Sequence, residues 1–115
     1  MPANRHADGR VKRGTSNTNS RGSAAERRRR KCFLLAWHGD GITCLCFACG
    51  KVLLYSTVQS DRIIPGILGG GYARGNIRPC CGPCNIIGGN LVKKWLREGV
   101  PKREILRRCR LGDFT

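Results

Sequence analysis

Acidic residues, histidines, aromatic residues and long apolar runs are all scarce in this chain of 115 residues. Seven Asp and Glu stand against 22 Lys and Arg, a formal charge of +15. A field of one sign that large on so short a chain favours a polyanionic partner, with nucleic acid ahead of an acidic membrane surface. The two histidines, His6 and His38, limit imidazole chemistry to those positions. With 6% aromatic residues, 16 Gly and 5 Pro, a large self-sufficient core is excluded. One loop-rich domain that needs a staple is expected. No apolar run approaches the roughly 20 residues of a membrane span. The opening "MPANRHADGRVKRG" lacks the apolar centre of an export signal, so a cytoplasmic location is expected.

Cysteine, by contrast, is abundant: eight residues. In a reducing compartment metal ligation takes precedence over a disulfide framework. "CFACG" sets Cys46 and Cys49 two residues apart, and "CGPCN" does the same with Cys81 and Cys84. Each turn presents two thiolates, and two such turns complete a tetrahedral zinc site. Cys44 and Cys80 lack a partner at that spacing, while Cys32 and Cys109 fall in expected helices and read as buried or free thiols. "CGPC" also has the form of a thioredoxin-type redox motif, but that chemistry needs a parallel βαβ setting and leaves "CFACG" unexplained.

Along the chain, residues 1–22 are rich in Arg, Asn, Ser and Gly and read as a disordered basic arm that wraps phosphate backbone. Residues 23–115 form the domain. "SAAE" is a capping box, with Ser23 accepting from the backbone and Glu26 reaching back. It predicts a helix through "RRRRKCFLLAW", ended by "HGDG". Phe33, Leu34 and Trp37 are expected to dock on the domain, and Arg27, Arg28, Arg29, Arg30 and Lys31 to face solvent or DNA. "KVLLYSTV" and "QSDRII" read as the two arms of a short hairpin, and "PGILGGGYARGNIRP" as a long glycine-rich loop. A helix follows Cys84, interrupted or delayed by Gly88 and Gly89, with Asn90 as cap and Gly99 as stop. "VPKREILRRCR" begins a last short helix, with Pro101 in its first turn.

The ordered combination "CFACG … SDRIIPG … GNIRPCCGPCN" resembles the HNH endonucleases, especially the small zinc-bearing ones of phages, over Gly39 to Trp95. The resemblance implies an α+β, zinc-stapled ββα-metal domain, with an N-terminal basic helix and C-terminal helices around it. It implies a phosphodiester hydrolase acting on DNA in a bacterial host, with a phage terminase as a further partner. Asp61 corresponds to the acidic metal ligand and Asn85, just after the last zinc cysteine, to the second. Asn76 corresponds to the residue that ties the loop together. One carboxylate and one amide oxygen suit Mg²⁺ or Mn²⁺, hard cations that keep room for phosphate oxygens. On other grounds Asp61 is a strand-end carboxylate paired with Arg62, and Asn85 a helix cap.

The sequence departs from that pattern where Arg62 replaces the usual histidine. A general base needs a pKa near the working pH, and a guanidinium stays protonated. Three alternatives remain: His38 acts as base, the metal ion activates water while Arg62 binds phosphate, or cutting is lost and a zinc-dependent DNA-binding or packaging accessory protein is left.

Overall fold

The computed structural model describes residues 22–112. The basic arm up to residue 21, His6 and the last three residues lie outside the described part. Helix α1, Ala24–His38, begins at the expected cap: Ser23 Oγ accepts from the Glu26 backbone N–H at 3.1 Å. The Glu26 carboxylate, expected to reach back to that cap, pairs instead with Arg29 at 3.2 Å and Arg74 at 3.0 Å. At the other end a Cβ on Gly39 would lie 1.9 Å from the Thr43 carbonyl oxygen, so only glycine lets the chain fold back here. Asp40 Oδ1 fastens the turn by accepting from the backbone N–H groups of Ile42 and Thr43.

Leu34 and Leu35 turn inward from α1 onto Leu53, Val58 and Ile77, forming the first core. Two expectations for α1 fail. Trp37 does not dock; it is 76% exposed. Phe33 and Trp37, four residues apart, share the flank beside the one that Leu34 and Leu35 bury. Arg30 does not face solvent; it is buried, with its guanidinium carbon 4.1 Å from the centre of the Tyr72 ring. A planar cation on an aromatic face tolerates this burial better than an ammonium group does.

Strand β1, Cys44–Leu45, pairs antiparallel with β2, Val52–Leu53. Strand β3, Gln59–Arg62, pairs antiparallel with β4, Ile77–Cys80. "KVLLYSTV" and "QSDRII" are thus not two arms of one hairpin. A turn at residues 54–58, closed by Val58 N–H on the Leu54 carbonyl at 2.8 Å, sends the chain from one sheet to the other. "IRPC", expected as loop, is a strand buried along its whole length. Its arginine hid it, because the partner charge, Asp61, lies directly opposite Arg78 on β3 and is distant in sequence. Between β3 and β4 the connection holds two short 3-10 turns, Gly66–Leu68 and Arg74–Asn76.

Helix α2, Gly82–Arg97, starts before Cys84 and runs unbroken through Gly88 and Gly89. Asn90, expected as its cap, lies in its interior. Each glycine costs about 1 kcal/mol against alanine. Burial of Val92 and Trp95 against Ile105 and Cys109 of α3, Lys102–Leu111, offsets this and forms a second core. Gly99, at φ 79°, turns the chain between the two helices. Among the described residues the architecture is α+β, three helices with two small antiparallel sheets; β3 and β4, joined through the two 3-10 turns, are followed by α2.

Candidate metal centre and basic cleft

The β1–β2 turn positions the first cysteine pair. Cys46 N–H donates to the Lys51 carbonyl at 2.8 Å and Gly50 N–H to the Cys46 carbonyl at 2.9 Å. Phe47 N–H donates to the Pro79 carbonyl, which brings this turn to the end of β4, where Cys81 and Cys84 open α2. The Sγ atoms of Cys46, Cys49, Cys81 and Cys84 all lie within 4.8 Å of one another, with Cys49 and Cys81 3.9 Å apart. A tetrahedral zinc site with Zn–S bonds near 2.3 Å needs sulfurs about 3.8 Å apart, so this cluster could hold a metal such as zinc.

Four sulfurs this close cannot all be thiolates unless a cation sits among them. Burial opposes ionisation of Cys46, but backbone N–H groups of Cys49, Cys81 and Ala48 bring it down to about 6. Cys84 is pushed up to about 12 by its hydrogen bond with Cys81 and by burial. Cys44, Cys80 and Cys109 are buried in the two cores, and burial raises all three thiols. Cys32 is exposed on α1.

Beside the cluster lies a cleft of about 310 Å³ whose lining includes Asp61, Arg62, Tyr72, Arg78, Asn85 and Lys93. Asp61 comes from β3 and Asn85 from the first turns of α2. Asp61 does not pair with its neighbour Arg62. Its Oδ2 accepts from Arg78 Nε at 2.8 Å, because partners across an antiparallel pair share a face whereas successive residues on a strand point to opposite faces. Burial raises the Asp61 carboxyl, against the pull of the Arg78 bond and charge. Arg78 also donates to the backbone carbonyls of Arg110 and Cys109, and its guanidinium carbon lies 3.7 Å from the Phe47 ring centre.

Arg62 places its guanidinium carbon 4.5 Å from the Tyr72 ring centre, with Nη1 reaching the Gly70 carbonyl at 3.5 Å. Asn85 does not cap α2, whose N-cap position is Cys81. Its Nδ2 donates to Gln59 Oε1 at 2.9 Å, leaving the amide oxygen available. Asn76 cross-braces the connection between β3 and β4. Its Oδ1 accepts from Ile64 N–H at 2.9 Å, and its Nδ2 donates to the Ile64 and Gly71 carbonyls.

His38 is not among the residues lining the cleft. It sits at the end of α1, edge-on to Phe33, with its pKa lowered by burial. Arg27, Arg28 and Arg29 are exposed on α1 as expected, and Lys31 donates to the Tyr55 carbonyl at 3.0 Å. Sequence reasoning missed Arg78, Tyr72, Lys93 and Gln59. Gln59 alone carried a signal, standing two residues before Asp61 on one strand face.

No family model matches the chain, and no curated protein or solved structure matches it significantly. No helix among the described residues is long and apolar enough to cross a membrane.

Proposed function

We propose that the protein is a zinc-stapled, HNH-type endonuclease that hydrolyses DNA phosphodiesters with one Mg²⁺ or Mn²⁺ in the basic cleft. The observation that carries this reading is the meeting of Asp61 and Asn85 in one cleft, delivered by consecutive β3, β4 and α2 beside four clustered cysteines. The donors suit a hard cation: Asn85 keeps its carbonyl oxygen free by giving its N–H to Gln59, and Arg78 takes Asp61 through Oδ2 alone. Such an ion supplies electrostatic stabilisation of the charge that develops on the phosphate and the leaving oxygen.

The chain's own groups supply position and field. Lys93 lines the cleft with positive charge for phosphate oxygens, while the donors of Arg78 are given to Asp61 and to the backbone of α3. Arg62, on the Tyr72 ring, adds a phosphate donor and accepts no proton. Among the described residues no imidazole lines the cleft; a reaction without the positioned base of the usual pattern is slower by about 10²–10⁴-fold. Nicking of supercoiled plasmid with Mg²⁺ or Mn²⁺ is expected from the wild type and not from Asp61→Ala. Equal nicking by both overturns the assignment.

A second reading, a zinc-dependent DNA-binding accessory protein that does not cut, is favoured by one contact. The Arg78 guanidinium already neutralises Asp61. Salt-sensitive DNA binding by folded protein without any nicking selects this reading.

A further inference from the structure

The flank of α1 beside the one buried in the first core carries an aromatic strip, formed by Phe33, half-buried against that core, and the exposed Trp37, next to several cations. The rings of Phe33 and Trp37 lie nearly parallel, with centres 6.0 Å apart and planes 12° from each other. Trp37 is the most exposed of the large hydrophobic side chains among the described residues. Next to them a shallow groove runs between α1 and Tyr55, lined by Arg28, Arg29, Phe33, Ala36, Tyr55 and Arg74. Lys31 Nζ lies 5.2 Å from the Tyr55 ring centre, and Arg74 is 5.6 Å from that of Phe33. Glu26 offers the one carboxylate that pairs with Arg29 and Arg74, and Arg28 has no ion-pair partner among the described residues.

An exposed indole stacked on Phe33, whose other neighbours include the arginines of the groove, has the two parts that unpaired nucleotides need. Every base has a π-face to stack, and every linkage carries a phosphate to neutralise. Duplex DNA offers only the phosphates, because its bases are already stacked on each other. The chain's own first 21 residues are a poor occupant: Arg5, Arg10, Lys12, Arg13 and Arg21 face only Asp8 as a negative charge.

We infer that this flank of α1 is a stacking platform for single-stranded DNA, with a base on Trp37 and phosphates held by Arg28, Arg29 and Lys31. The inference rests on the nucleic-acid part of the proposed function and deepens it. The preferred substrate then contains an unpaired stretch, held on α1 while a phosphodiester enters the cleft.

Tryptophan fluorescence of the full chain tests the platform directly, since the other tryptophan, Trp95, is buried in the second core. Titration with a 12-nucleotide oligothymidylate should quench emission, and Trp37→Ala should remove the quenching and weaken binding roughly five- to a hundredfold. Trp37→Phe should keep most of the affinity. A duplex of the same length should bind without comparable quenching. Absence of quenching, or equal affinity in Trp37→Ala measured by a labelled oligonucleotide, overturns the platform. Quenching equal for duplex and single strand does so as well. Because Trp37 is solvent-exposed, its replacement leaves folding intact, which circular dichroism checks. Loss of plasmid nicking in Asp61→Ala reports on the cleft and loss of quenching in Trp37→Ala on α1, so failure of one reading is distinguishable from failure of the other.

Discussion

At the scale of single residues, Arg78 governs the site more than any side chain read from the motif. It meets Asp61, two carbonyls at the end of α3 and the face of Phe47, so it joins the cleft to the C-terminal helix. With both partners of the pair about nine-tenths buried, solvent screens the interaction poorly. Removing one partner leaves an unpaired buried charge. Arg78→Ala should therefore cost about 3–5 kcal/mol of stability in urea unfolding, and adding Asp61→Ala should restore part of that loss. A cost under about 1 kcal/mol would place the pair among solvent-screened surface bridges. Asn76 works differently, through neutral hydrogen bonds that close a loop. Gly70 permits that closure, since a Cβ there would lie 1.7 Å from the Ile64 carbonyl oxygen.

At the scale of elements, the two cysteine turns join pieces that are too short to persist alone. Strands of two residues, such as β1 and β2, have no independent stability. A structural zinc in a site of this kind carries roughly 10–16 kcal/mol, as much as or more than the whole stability of a small domain. The four-cysteine cluster should thus decide whether these elements fold at all. Elemental analysis should find one zinc per chain, and Cys81→Ser or a strong chelator should unfold the protein, followed by circular dichroism. Cys32→Ser, on the exposed face of α1, should change neither zinc content nor melting. Retention of the wild-type melting curve in Cys81→Ser would remove the metal from the account of folding.

For the whole molecule, the +15 charge sets how it meets a polyanion. Counter-ion release makes such binding fall steeply with salt, with a log–log slope near −0.9 for each phosphate neutralised. If four phosphates are held, doubling the salt concentration should weaken duplex binding about twelvefold. Fluorescence anisotropy with a labelled duplex reads this. Single-strand binding with the same number of phosphate contacts should depend somewhat less on salt, with a slope near −0.7 for each phosphate, because a single strand condenses fewer counter-ions.

Much of this organisation was legible in the sequence because the signals are local. Ser23 caps the turn that follows it, Gly39 ends that helix, and two Cys-x-x-Cys turns declare a four-sulfur cluster by spacing alone. Asp61 and Asn85 could be singled out from motif order. Pairings across space were not legible. The sequence alone determined a basic chain with two paired cysteine turns, and its motif order implied an α+β fold with one acidic residue and one amide as site candidates. Only the tertiary structure decided that "IRPC" is a strand, that Asp61 answers to Arg78 rather than Arg62, and that Trp37 points outward while Arg30 is buried. Each of those outcomes depends on which residue lies opposite another across a sheet or helix face. Cross-strand neighbours are set by register and packing, at separations that no local pattern of charge or hydropathy records.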